Sequence, residues 1–97
     1  GVLPVVGTPL PADAPHAPRA WVAAVDFEAA ERTMKGYRVW LKRYCTAFGV
    51  PYIDFCADFL SPDGSIRSEL LLDGLHPTPE GHRLMARRLN AQLKRQG

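Results

Sequence analysis

Two residues that can act as acid and base stand three positions apart near the end of this 97-residue chain, Asp73 and His76. They belong to the string DGLHP (residues 73–77), in which Gly74 allows a sharp turn and Pro77 restricts His76 to an extended backbone. A turn held at both ends can place the carboxylate against one imidazole nitrogen, which is the orienting acid and general base of a nucleophilic triad. The same string also fits a plain helix N-terminus with an incidental acid and histidine.

The elements around this turn are predicted from residue type and spacing. An apolar run at 70–72 leads into it, and Thr78 followed by Pro79 is typical of a helix N-cap and first helical position. The pattern predicts a terminal helix over 78–96, with its buried side marked by Leu84, Met85, Leu89 and Leu93. His82 lies six residues after His76, which is not the i, i+4 spacing of a helical zinc site.

The first half of the chain predicts a strand, a loop, a long helix and a second strand. The first strand begins at about Val5, because Pro4 cannot donate to a sheet, and the second covers 51–55. Residues 11–24 are predicted to be a loop, with His16 exposed and Trp21 either a pocket wall or a cover over the core. Strand, helix and strand in this order predict a right-handed crossover between parallel strands.

The helix between the strands is predicted over 26–48, with Asp26 as N-cap and Gly49 as the C-terminal stop. Apolar residues recur at three- and four-residue steps and form one stripe: Phe27, Ala30, Met34, Tyr37, Leu41, Tyr44 and Phe48. Core packing is the favoured interpretation of this stripe, and a partner-binding face or coiled-coil seam is the alternative. Gly36 in the helix interior suggests a close packing contact.

The string from Asp73 to Gly81 resembles the last block of the SGNH, or GDSL-type, hydrolase family. There an Asp-Gly-x-His-Pro turn supplies the acid and base of a Ser-His-Asp triad and leads into the final helix. The resemblance implies that His76 is the general base and that Asp73 orients it. The family's Gly-Asp-Ser nucleophile, oxyanion glycine block and Gly-x-Asn-Asp block are missing, and residues 63–65 carry the letters in another order, DGS.

The resemblance therefore implies that residues 1–97 are one partial domain, the C-terminal half of a three-layer, flavodoxin-like α/β fold with a parallel sheet. This half supplies two strands, a crossover helix and a terminal helix. It also implies a serine esterase acting on small acyl or acetyl esters, without metal or cofactor. No nucleophile is assigned in this chain, because Ser61, Ser65 and Ser68 do not lie on a Gly-framed strand-to-helix turn. The expected partner is the nucleophile-bearing N-terminal half, as a second chain or a cleaved segment.

Composition leaves few other classes open. A net charge of +2 does not call for a nucleic-acid or membrane partner, and no apolar run approaches the ~18 residues of a membrane helix. Cys45 and Cys56 lack metal or disulfide spacing, so they are expected to be small core groups, which fits a reducing compartment without requiring one. Asp54 and Asp58 are expected at the surface. Two other hypotheses remain: a non-catalytic interaction module on the same scaffold, and a binder of nucleic acid through the basic terminal helix.

Overall fold

The computed structural model describes residues 2–96, with side chains through Arg95, so the two ends of the expected 1–97 domain lie outside it. Two short parallel strands, β1 (Val6–Gly7) and β2 (Tyr52–Ile53), are linked through a long helix. The α/β class, the parallel pair, the crossover helix and the terminal helix are therefore as predicted, although both strands are shorter than expected.

Within residues 2–96, three helices accompany the strands: α1 (Arg19–Ala24), α2 (Phe27–Phe48) and α3 (Pro79–Gln96). The same residues contain three short 3-10 turns, at Ala14–His16, Phe55–Phe59 and Ser68–Leu70. The prediction of a loop over 11–24 was wrong in part, because α1 and the first 3-10 turn fall within it. Helix α1 is only six residues long, too short for the sequence to show a helical period.

The strands pair in one register, with Val6 opposite Tyr52 and Gly7 opposite Ile53. The Val6 N–H donates to the Pro51 carbonyl at 3.0 Å, which continues the ladder. A Cβ atom on Gly7 would lie 2.7 Å from the Phe55 ring, so a larger residue there would force the ring to move.

Helix α2 begins and ends as predicted. The Asp26 carboxylate accepts the Ala29 N–H at 3.0 Å, and Gly49 adopts the left-handed conformation that closes the helix, with φ of 67°. The interior glycine does not mark a close contact, because nothing lies within 4 Å of a Cβ built on Gly36. That prediction was wrong.

The apolar stripe of α2 is only partly in the core. Phe27 is buried, whereas Tyr37, Tyr44 and Phe48 are 46%, 45% and 70% exposed. The helix instead turns Arg38 and Cys45 inward, so the centre of its buried face is displaced from the stripe. Core packing was therefore the wrong interpretation for Tyr37, Tyr44 and Phe48.

One cluster of buried apolar residues lies in the segment 59–71, against α3. Phe59, Leu70 and Leu71 are buried and are covered by partly buried apolar residues: Leu10, Ile66, Leu84 and Met85. On α3 the predicted buried side is thus confirmed for Leu84 and Met85. It is wrong for Leu89 and Leu93, which are 42% and 52% exposed because the far part of α3 extends beyond the core.

Candidate active site

The candidate site is the turn Asp73–His76, in which one carboxylate binds both the ring and the backbone of the same histidine. The Oδ2 atom of Asp73 lies 2.7 Å from Nδ1 of His76. The Oδ1 atom accepts the backbone N–H groups of Leu75 and His76 at 3.0 and 2.8 Å. The structure thus brings Asp73 and His76 into contact, as the sequence predicted.

The backbone on either side closes the turn. The Leu72 N–H donates to the His76 carbonyl at 2.8 Å, and Leu71 forms an antiparallel bridge with Pro77. Gly74 has a φ of 82°, a conformation that side chains disfavour. The turn is therefore fixed by its own hydrogen bonds and by a position that only glycine occupies readily.

The helix that follows holds the turn from the other end. The Thr78 hydroxyl accepts the Gly81 N–H at 3.1 Å, which is the predicted N-cap, and the Thr78 N–H donates to the Leu70 carbonyl at 2.8 Å. A Cβ on Gly81 would lie 2.9 Å from that same carbonyl oxygen. The close contact between the first turn of α3 and Leu70 thus helps to fix the position of the Asp73–His76 turn relative to the core.

The hydrogen bonds to Asp73 also fix its charge. The backbone N–H of His76 is the largest cause, and with the imidazole and the Leu75 N–H it lowers the pKa of Asp73 to about 2. The carboxylate is therefore ionised at neutral pH. An ionised acid that accepts from Nδ1 selects the imidazole tautomer whose Nε2 is free to take a proton.

The imidazole is accessible. The His76 side chain is 67% exposed, and among the described residues its Nε2 atom makes no hydrogen bond. Trp21 of α1 approaches the ring edge-on, with centroids 6.5 Å apart and planes at 68°. Of the two interpretations of Trp21, the structure therefore supports a wall beside the site.

A second Asp-x-x-His pair lies next to the first and was missed by the sequence argument. Asp13 is buried, with 5% of its surface exposed, and its backbone N–H donates to the Gly74 carbonyl at 2.8 Å. Its Oδ2 atom lies 2.8 Å from Nδ1 of His16, but without hydrogen-bond geometry, so this buried oxygen has no hydrogen bond among the described residues. The repeated spacing, Asp13 to His16 and Asp73 to His76, was the signal available in the sequence.

The other candidate residues lie in structural contacts of their own. Asp54 accepts from Lys42 at 3.0 Å, and Asp58 binds Arg88 of α3 at 2.6 and 2.9 Å. The Ser65 hydroxyl donates to Asp63 at 2.6 Å. Among the described residues no serine hydroxyl hydrogen-bonds to His76.

The described surface also has a large hollow away from the Asp73–His76 turn. A hollow of about 810 Å³ lies between α2 and the 61–66 loop, lined in part by Lys35, Arg38 and Cys56, but neither Asp73 nor His76 borders it. Both cysteines are free and buried, as expected of core groups, and burial raises the pKa of the Cys56 thiol. A protonated buried thiol is a poor nucleophile, so we assign this hollow no reaction.

Within residues 2–96, no three His, Cys, Asp or Glu side chains are grouped so as to hold a metal ion. In the same part of the chain, no helix combines the length and apolarity needed to cross a membrane.

The described chain is a parallel α/β unit whose last turn presents a carboxylate-bound imidazole immediately before the terminal helix. The sequence model of the GDSL-like Lipase/Acylhydrolase family matches residues 2–84. The chain belongs to this family.

Solved structures share the fold. A proposed acylhydrolase from Bacteroides fragilis NCTC 9343 is similar with a TM-score of 0.75 and 22% identity, over 95% of this chain and 42% of its own. A GDSL-like lipase from Bacteroides thetaiotaomicron VPI-5482 has a TM-score of 0.75 and 17% identity, over 96% of this chain and 43% of its own. The chain thus spans less than half the length of these proteins. No curated protein sequence matched it.

Proposed function

We propose that this chain supplies the general base and the orienting acid for serine-dependent hydrolysis of small acyl or acetyl esters. His76 is the base and Asp73 the acid, and no metal or cofactor takes part. The observation that carries the proposal is the 2.7 Å contact between Asp73 Oδ2 and Nδ1 of the exposed His76. The nucleophilic serine is contributed by a segment or partner chain outside these 97 residues.

In the proposed reaction, Nε2 of His76 takes the hydroxyl proton of that serine as its oxygen attacks the ester carbonyl carbon. The proton then passes from His76 to the alcohol oxygen as the carbon–oxygen bond of the ester breaks. A water molecule repeats the sequence on the acyl-serine, releasing the acid and restoring the serine. Asp73, ionised because its pKa is about 2, stabilises the imidazolium at each stage.

The surface of α2 supports a companion segment. An aromatic stripe of Tyr37, Trp40, Tyr44 and Phe48 lies along the helix, with successive ring centroids 6.0, 5.3 and 4.7 Å apart. Every member is at least 45% exposed. Contiguous exposed aromatic surface of this kind is typical of an interface.

Within residues 2–96 the sheet has two strands, so the outer edge of β1 is unpaired there. A companion that adds a strand to this edge and a helix against the stripe would fit, and the similar structures have more than twice this length.

The test uses the native protein. A denaturing intact-mass spectrum should show a second polypeptide, and that polypeptide should carry the serine labelled by a fluorophosphonate ester. In this assembly His76→Ala should lower kcat/KM for a short-chain ester by thousands-fold or more, because the base is lost.

The matched control is His82→Ala, which removes an exposed histidine from α3 six residues away. It should retain wild-type turnover. Retention of most activity by His76→Ala would contradict the catalytic assignment.

The companion surface has a separate test. Trp40→Gln with Tyr44→Gln should weaken the assembly, while Leu89→Gln with Leu93→Gln, exposed apolar residues on α3, should not. Equal effects of the two pairs of substitutions would contradict the assignment of the aromatic stripe.

A second candidate function is a non-catalytic interaction module, which the exposed aromatic stripe also favours. It predicts an assembly that forms through α2 yet hydrolyses no short-chain ester. Fluorophosphonate labelling separates the two functions, since only an esterase has an activated serine to label.

A further inference from the structure

We propose that Glu31 is a positioning residue for the Asp73–His76 turn, acting through the loop at 10–13. Glu31 lies on α2 and forms an ion pair with Arg38, two helical turns later. The two carboxylate oxygens lie 2.6 and 3.3 Å from the guanidinium nitrogens. Arg38 is 6% exposed, so this pair is a fixed part of the interior rather than a mobile surface contact.

Both members of the ion pair also hold the loop. The Oε1 atom of Glu31 accepts the Ala12 N–H at 2.8 Å. The Nη1 atom of Arg38 donates to the Leu10 carbonyl at 3.5 Å. The shorter of these bonds belongs to Glu31, and it fixes the residue immediately before Asp13.

The loop in turn holds the site. The Asp13 N–H donates to the Gly74 carbonyl at 2.8 Å. A Cβ atom built on Gly74 would lie 2.5 Å from the Asp13 carbonyl oxygen and 3.2 Å from the Ala17 nitrogen. The backbone at 13–17 is thus a close-fitting seat for Gly74, the residue between the proposed acid and base.

This seat holds the turn against the 13–17 backbone but is not needed for the turn to form. The bonds between Asp73 and His76 are internal to the turn and do not involve the loop. The loop also leads, through the 3-10 turn at Ala14–His16, into α1, whose Trp21 approaches His76. Release of the loop from Glu31 would therefore change the position of Trp21 relative to His76 while the Asp73–His76 contact persisted.

The test is made by NMR on the native protein, with this chain isotopically labelled. Glu31→Ala should raise the solvent-exchange rate of the Asp13 N–H by on the order of tenfold or more, because its seat against Gly74 loosens. It should also weaken the cross-relaxation between the Trp21 and His76 rings. The downfield Nδ1 proton of His76, which reports the internal bond to Asp73, should remain.

Asp58→Ala is the matched control. It too removes a carboxylate bound by two guanidinium nitrogens, those of Arg88, but that pair does not touch the loop. It should leave both signals unchanged. Glu31→Gln retains an oxygen for the Ala12 N–H and should keep the exchange rate within a few-fold of wild type.

Unchanged exchange and ring contact in Glu31→Ala, or equal changes in Asp58→Ala, would overturn the proposal. The proposal would also be overturned if Glu31→Gln changed the exchange rate and the ring contact as much as Glu31→Ala does. The loss of the buried ion pair, and not of the bond to Ala12, would then explain the change. Glu31→Ala leaves Arg38 buried without its ion-pair partner, which could prevent folding. In that case the same exchange rate is measured in Glu31→Gln and Arg38→Ala. Both variants keep an oxygen for the Ala12 N–H, so their Asp13 exchange rates should agree.

The consequence for turnover rests on the proposed esterase function. In the complete enzyme Glu31→Ala should lower kcat by more than it changes KM, and Glu31→Gln should restore most of the loss. The NMR result stands apart from this one, because it requires no activity. A wild-type assembly without turnover would reject the esterase and leave the positioning result intact.

Discussion

Asp73 binds His76 at two points with its two oxygens: Oδ2 lies 2.7 Å from ring Nδ1, and Oδ1 lies 2.8 Å from the backbone nitrogen. One side chain thus orients the imidazole and fixes the peptide that carries it. The ring cannot turn about its bonds without losing the first contact, and the backbone cannot swing without losing the second. This double attachment explains how an exposed histidine is held in one orientation.

Asp73→Asn should separate these two roles. An asparagine oxygen can still accept the backbone N–H of His76, so the turn should form. Its amide nitrogen would donate to Nδ1 and so favour the imidazole tautomer that carries its proton on Nε2. In that tautomer Nε2 has no lone pair to accept the serine proton and cannot act as the base. We expect kcat of the complete assembly to fall by about 10⁴-fold, the magnitude typical of this substitution in a triad.

Asp63→Asn is the corresponding control, because Asp63 makes the same kind of turn with Ser65, at 2.9 and 2.6 Å, away from the site. Steady-state turnover by both variants is the measurement. Equal rates in the two asparagine variants would show that Asp73 does not set the tautomer.

Acid should weaken the folded chain partly through Asp73. Its pKa is about 2 when folded, against an ordinary value of 3.8, so the folded state favours the ionised form. The resulting stability is complete above about pH 5 and is lost as the pH falls through about 4 towards about 2. Urea unfolding across this range should show a smaller decrease in the free energy of unfolding for Asp73→Asn than for wild type. Parallel curves would contradict the contribution of Asp73.

Much of the site follows from local chemistry, and so it was predictable. The N-caps at Asp26 and Thr78 and the C-terminal stop at Gly49 were predicted from residue type and position, and all three are observed. The approach of Asp73 to His76 depends on a turn of four residues, for which the sequence contains all the information.

The remaining features depend on contacts between distant segments. A helical period identifies a stripe on α2 but not the angle at which the helix meets the sheet, and here Arg38 and Cys45 face inward while Trp40 faces out. The seat that Asp13 forms for Gly74 joins residues 61 positions apart. Neither can be derived from the spacing of residues within one element.

Gly36→Ala should stabilise the chain. Gly36 lies within α2, without positive φ, and nothing lies within 4 Å of a Cβ at this position. Alanine lowers the entropy of the unfolded chain and favours the helix, so the free energy of unfolding should rise by about 0.5–1 kcal/mol. Urea unfolding monitored by circular dichroism measures it. A lower free energy of unfolding would mean that another part of the protein occupies the space beside Gly36.

Gly74→Ala and Gly64→Ala form a pair that isolates the seat of the turn. Both glycines have positive φ, 82° and 88°, so both alanines should pay about 1–2 kcal/mol for the left-handed backbone. Nothing lies near a Cβ on Gly64, whereas a Cβ on Gly74 would meet the Asp13 carbonyl at 2.5 Å. Overpacking of this kind adds a further ~1–3 kcal/mol, so Gly74→Ala should be the more destabilising variant in urea unfolding. Equal losses would mean that the 13–17 backbone yields to the added methyl group and that Gly74 is required only for its φ.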